Sequence, residues 1–221
     1  MALLLLVIYE ASMASLYGTT GLVVRNSAEV MIKRAFWFFG VRYQIALWFV
    51  FLALLIGALA MARKQQTLNL KPVYFPLAIF ESLTYALFFA SLISLFPRTI
   101  TIKFLWLNGG EVDLSGRMAL ALGAGIYEEL LFRFILLGSL IFLFRYVIGG
   151  KPLIHVSLAI LISAALFAGF HYLDGSVPLA AESFLFRFYA GVILGIIYHF
   201  RGIGIAVYTH AFYDLFLVLK K

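Results

Sequence analysis

Two adjacent carboxylates, an arginine, two histidines and a further aspartate lie inside apolar runs of this 221-residue chain. The first group is Glu128, Glu129 and Arg133, within GAGIYEELLFRFILLG at 123–138. The second is His171, which closes FAGFH and follows Phe167 at helical spacing. The third is His210 and Asp214, in HAFYD, four residues apart and so on one face of a helix. An ionisable side chain at the centre of a bilayer-spanning helix costs about 2.5–3.5 kcal/mol on insertion scales, so such residues face a partner, a cavity or a site. A single His or Asp inside a span has an ordinary reading as packing glue. Three constellations in spans that can converge would each be a separate uncompensated cost, and together they read as a site.

Within a helix, Glu129 and Arg133 pair on one face, acid first, the favourable order. Glu128 points about 100° away from Glu129 at 3.6 residues per turn and must find its partner elsewhere. Glu129 and Arg133 are therefore expected to be site support, and Glu128 the reagent. One carboxylate, two imidazoles and a second carboxylate suit two schemes. In one, Glu128 and His171 deprotonate a water that attacks a carbonyl, while His210 and Asp214 stabilise the oxyanion. In the other, the same groups hold a metal whose bound water is the nucleophile. Familiar intramembrane protease signatures do not account for the set. There is no HExxH to partner Leu173-Asp174-Gly175, no GxGD to accompany Tyr213-Asp214, and no GxSG.

The elements that must position these residues are membrane helices. The chain is 64% hydrophobic and 12% charged, with mean hydropathy +1.04, against about 45–50% apolar and 25% charged for soluble domains. The expected fold is all-α, a polytopic bundle of about seven spans plus one interfacial helix. The spans are placed at 2–17, 41–61, 73–96, 117–147, 153–172, 181–200 and 203–219. Residues 25–39, with charges among aromatics, suit a helix lying in the interface. The span at 117–147 is longer than an about 30 Å hydrocarbon core requires, so it is expected to tilt, kink or project. Residues 1–114 hold the N-terminal spans and 115–221 the catalytic core, in one integral domain. The first span lacks a basic leader and cleavage site and is expected to be retained.

Glu10 sits inside the first span, where it is either functional or matched by a basic residue on a neighbouring helix, and Glu81 is expected to be buried in the third. His155 and His199, near helix ends, read as interfacial residues. Gly191 and Gly195 form a small-xxx-small pair suited to close helix packing. The net charge of +7 is spread over helix ends, which suits anionic lipid rather than nucleic acid. With no cysteine, disulfides and thiolate metal sites are excluded. Neither histidine motif has the two-histidine spacing of a zinc helix, so no stoichiometric metal is expected.

EELLFR at 128–133, FAGFH at 167–171 and HAFYD at 210–214 resemble, in order and spacing, the three motifs of the CAAX protease and bacteriocin-processing family, which includes the type II CAAX prenyl endopeptidases. The resemblance covers about 115–219. It implies a glutamate-dependent intramembrane peptidase without a cofactor, acting in the lipid bilayer of a cell membrane on membrane-anchored protein or peptide substrates. By that resemblance Glu128 and His171 activate the water, His210 and the residue at 214 form the oxyanion site, and Glu129 and Arg133 shape the motif. The prenyl endopeptidases usually carry Asn at the last position, where this chain has Asp214. Two other classes would also bury such residues. A transporter or channel uses them as a proton or ion relay, but no inverted repeat or matched pair of broken helices is present. A catalytically silent scaffold would not need the whole set.

Overall fold

The computed structural model describes residues 1–20, 25–42, 71, 73–93, 112–149, 151–173 and 180–220, with isolated positions between 45 and 56. Among the described residues all regular structure is helical, as expected. The expected second span at 41–61, the polar loop at 65–71, most of the linker at 98–116, and Asp174 and Gly175 lie wholly or largely outside the described residues. Seven helices are named here: α1 Ala2–Thr20, α2 Ser27–Phe38, α3 Tyr74–Ile93, α4 Leu114–Val147, α5 Pro152–Phe170, α6 Ala181–Arg201 and α7 Ile203–Leu219. Among the described residues, four of these (α3, α4, α5 and α6) are long and apolar enough to cross a membrane. The apolar stretches of α1 and α7, Ala2–Gly18 and Ile203–Leu219, are shorter. At 12 residues and about 1.5 Å of rise each, α2 is too short to cross a bilayer.

Local chemistry sets several of these boundaries. Asp113 caps α4 by accepting from the Gly116 N–H at 3.0 Å and from the Ser115 hydroxyl at 2.5 Å. Those two donors hold its carboxyl below the usual aspartate range. Lys151 precedes Pro152, which opens α5 at the position where a missing N–H costs nothing. Between α6 and α7 the chain turns on Gly202 alone, at φ 82°, a left-handed conformation that glycine adopts without a Cβ clash.

The over-long α4 deviates from α-helical winding in its middle. Leu130–Leu137 is a π-helix, entered directly after Glu129. Such wide turns depart from the regular α-helical ladder and are frequent at functional sites. Here Ser163 of α5 donates to the Phe132 carbonyl at 2.8 Å, tying the π segment to its neighbour.

Around this helix, α1, α2 and α7 pack on α4, α5 packs on α6, and α3 packs on α7. Small residues set the closest approaches. A Cβ on Gly125 would stand 2.7 Å from Ala211 Cβ and 2.8 Å from its backbone N, so α4 and α7 nearly touch one turn before Glu128 and Glu129. On α6, a Cβ on Gly191 would meet Ala164 Cα at 2.9 Å and one on Gly195 would meet Ile160 Cγ2 at 3.2 Å. The small-xxx-small pair thus seats α6 on α5. Glu81 is partly rather than fully buried, and Arg201 of α6 grips it through two contacts, Nε–Oε1 at 2.5 Å and Nη2–Oε2 at 2.7 Å.

The Gly125 contact makes a direct test. Gly125→Leu is expected to destabilise the protein by about 1–3 kcal/mol, the usual cost of overpacking, because the obstacle is backbone and cannot swing aside. Gly138, where a Cβ would meet Tyr198 Oη at 3.6 Å and the Arg133 carbonyl at 3.9 Å, is the control. Gly138→Ala should be neutral or stabilising by about 0.5–1 kcal/mol, since alanine is the better helix former. Melting of both variants in one detergent checks the pair.

Candidate active site

Arg133 is buried on α4, and its guanidinium has four sources of compensation. Its Nη1 pairs with Glu129 Oε1 at 2.9 Å, and its Nη2 donates to the Gly191 carbonyl at 3.4 Å. Its Cζ lies 4.5 Å from the centre of the Phe167 ring. The fourth is the nearby carboxylate of Glu128. The expected intrahelical pair is therefore present, across the first turn of the π segment. Phe167 also stands edge-on to His171 at 5.0 Å and to His210 at 6.3 Å, so one ring borders all three constellations.

Glu129 does more than match Arg133. The same Oε1 accepts from His210 Nδ1–H at 2.7 Å, because a carboxylate can only accept. The close approach of Gly125 and Ala211 brings these two side chains together. His210 is thus oriented by Glu129, and its Nε2 turns toward the other acids. That nitrogen is 3.5 Å from Asp214 Oδ2 and 3.9 Å from Glu128 Oε2. On α5, His171 donates Nδ1–H to the Phe167 carbonyl at 3.0 Å, which leaves Nε2 as the exposed lone pair, 3.9 Å from Glu128 Oε2. Glu128 Oε2 accordingly faces two imidazole nitrogens at the same distance, too long for direct hydrogen bonds. All six residues singled out from the sequence meet at one place.

The histidines set aside in the sequence lie elsewhere. His155 is buried and donates Nε2–H to the Gly149 carbonyl, closing the turn into α5. His199 is exposed beside Phe200.

Sequence reasoning missed the N-terminal contribution. Asn26 Nδ2 donates to Glu128 Oε1 at 3.0 Å. Beside that contact, Tyr127 Oη donates to Glu10 Oε1 at 2.9 Å, and Arg25 Nη1 pairs with Glu10 Oε2 at 3.3 Å and with Glu29 Oε1 at 2.9 Å. Tyr9 and Lys33 also contact the fully buried Glu29. Burial lowers the Lys33 ammonium from its ordinary value, with the Glu29 carboxylate pulling the other way. Glu10 is therefore matched by Arg25 and Tyr127. The available signal for Asn26 was Asn-Ser-Ala-Glu, a cap residue followed three positions later by an acid, which marks a helix start.

Removing one member of a buried ion pair leaves the other uncompensated and typically costs about 3–5 kcal/mol, whereas replacing both by apolar groups is often neutral. Glu129→Gln is accordingly expected to destabilise the protein by about 3–5 kcal/mol, and Glu129→Gln with Arg133→Met to recover most of that loss. Activity should not recover in the double variant, because His210 has lost its anionic partner. Thermal melts and turnover measured on the same preparations separate the two effects.

Residues 112–216, just under half of the chain, match the family model described as type II CAAX prenyl endopeptidase Rce1-like. No curated protein and no solved structure matches the chain. The matched residues run from the cap of α4 to the last turns of α7 and contain Glu128, Glu129, Arg133, His171, His210 and Asp214, while Asn26 and Glu10 fall outside them. Over these residues the chain is similar to the Rce1-like type II CAAX prenyl endopeptidases, a family of intramembrane proteases, and among the described residues four of its helices are long and apolar enough to cross a membrane.

Proposed function

We propose that the chain is a glutamate-dependent, metal-independent endopeptidase. It cuts a peptide bond near the C-terminus or membrane anchor of membrane-associated proteins, with CAAX-type and C-terminal sorting-signal substrates as the classes. The observation that carries this reading is the single acceptor oxygen, Glu128 Oε2, standing 3.9 Å from both His171 Nε2 and His210 Nε2. A water about 2.8 Å from both Glu128 Oε2 and His171 Nε2 fits groups at that separation. Glu128 takes its proton as the water attacks the scissile carbonyl, and returns it to the leaving amine. His210 Nε2 and Asp214 face the developing oxyanion. The setting is a multi-pass protein of the cell membrane, with residues 1–114 supporting a catalytic core at 115–221.

A farnesylated CAAX peptide as substrate tests the reading. Glu128→Ala should abolish cleavage, His199→Ala should leave it unchanged, and exhaustive chelation should leave the unaltered protein active. Equal activity of the two variants would remove the glutamate mechanism, and loss of activity on chelation with recovery on zinc addition would replace it.

Asp214 has a specific role in this scheme. With Glu129 already holding His210 Nδ1, Asp214 is not needed to orient that ring. Asp214 acts in its neutral, protonated form. In that form it donates to the oxyanion, as an asparagine would. Asp214→Asn should keep most activity, while Asp214→Ala should lose about 10²–10³-fold in kcat, the scale for one oxyanion donor. A loss of that size in Asp214→Asn would assign Asp214 the work of an ionised carboxylate.

A further inference from the structure

We propose that Asn26, outside the family-matched residues, is a positioning residue that fixes the catalytic carboxylate of Glu128. The inference rests on the reading of Glu128 as the group that activates water.

The two ends of the Asn26 amide are committed to different partners. Its Oδ1 accepts from the Ala28 N–H at 2.8 Å and caps α2. That bond sets the orientation of the amide, so Nδ2 is the atom 3.0 Å from Glu128 Oε1, and a carboxylate there can only accept. With Oε1 engaged, the plane of the carboxylate is set and Oε2 is the oxygen presented to His171 and His210. One carboxylate oxygen is held while its twin works.

The residues on either side show that the contact is braced. Arg25 precedes Asn26 and Tyr127 precedes Glu128, and both bind Glu10, through Oε2 at 3.3 Å and Oε1 at 2.9 Å respectively. Arg25 also pairs with Glu29 of α2 at 2.9 Å, and Tyr9 of α1 contacts the same carboxylate. Glu10 of α1 thus clamps the two backbone neighbours of the Asn26–Glu128 hydrogen bond, across 102 residues of sequence. Tyr9 also packs on Gly123, where a Cβ would stand 2.6 Å from its ring. α1 and α2 form the bracket that keeps Glu128 in register with the histidines of α5 and α7.

Capping and positioning separate by substitution. Ser and Asp cap helices about as well as Asn, so Asn26→Ser and Asn26→Asp should keep the α2 start and the melting temperature. Neither delivers an N–H to Glu128, and Asp adds a repelling charge. With the full chain in detergent and a farnesylated CAAX peptide, Asn26→Ser should lower kcat about 10-fold and Asn26→Asp about 100-fold, the range seen when a supporting hydrogen-bond partner of a functional group is removed. KM should stay within about twofold in both, since the contact is made before substrate binds. Unchanged kcat in Asn26→Asp, or a fall in kcat matched by a fall in melting temperature, would reduce Asn26 to a helix cap and overturn the proposal. An unaltered protein that cleaves no faster than Glu128→Ala would instead strike the peptidase reading itself, and the positioning role would go with it.

Discussion

Glu129 is the interaction on which the rest of the structure depends. Its one oxygen serves Arg133 at 2.9 Å and His210 at 2.7 Å, so a single buried anion joins the cation of its own helix to the imidazole of another. A buried carboxylate without partners would be prohibitive in an apolar bundle. That constraint explains why α4 and α7 approach through Gly125 and Ala211, and why α6 presents the Gly191 carbonyl to Arg133. It also explains the difference between two adjacent glutamates. Glu129 is consumed by compensation, whereas Glu128 keeps one oxygen available.

Most of the site was legible in the sequence because its parts violate membrane composition. Glu128, Glu129, Arg133, His171, His210 and Asp214 stand out against apolar runs, and their helical spacing correctly predicted the Glu129–Arg133 pair. The helical class followed from composition alone. Three features were hidden for physical reasons. That Glu129 binds His210 depends on helix crossing at Gly125, which no local spacing encodes. The π winding of Leu130–Leu137 has no residue signature, since its sequence is an ordinary apolar run between a charged pair and a glycine. Asn26 sits in a stretch that reads as interfacial, where an asparagine is unremarked, and its value arises only when α2 docks on α4.

The N-terminal helices give a second view of the same constraint. Glu10 looked like a stray acid in a span, yet it is shared between Arg25 and Tyr127. Glu29, fully buried, gathers Arg25, Lys33 and Tyr9. Such a cluster needs all its members to be satisfied, because a half-paired buried network is worse than an apolar one. It therefore specifies one docked arrangement of α1 and α2 against α4 more sharply than apolar contact does.

The π segment links α4 to the helix that ends at His171. A wide turn widens the carbonyl ladder, and each carbonyl, with two lone pairs, can take a second donor from a neighbouring helix. Ser163 of α5 supplies that donor to Phe132, two turns before His171 on the same helix. Phe132 itself packs edge-on to Phe167 at 5.3 Å and to Phe170 at 5.3 Å, on the last turn of α5. That hydrogen bond and these ring contacts tie the π segment to α5 on the approach to His171. The distortion next to the two glutamates is therefore part of how a polar site is assembled inside an apolar bundle.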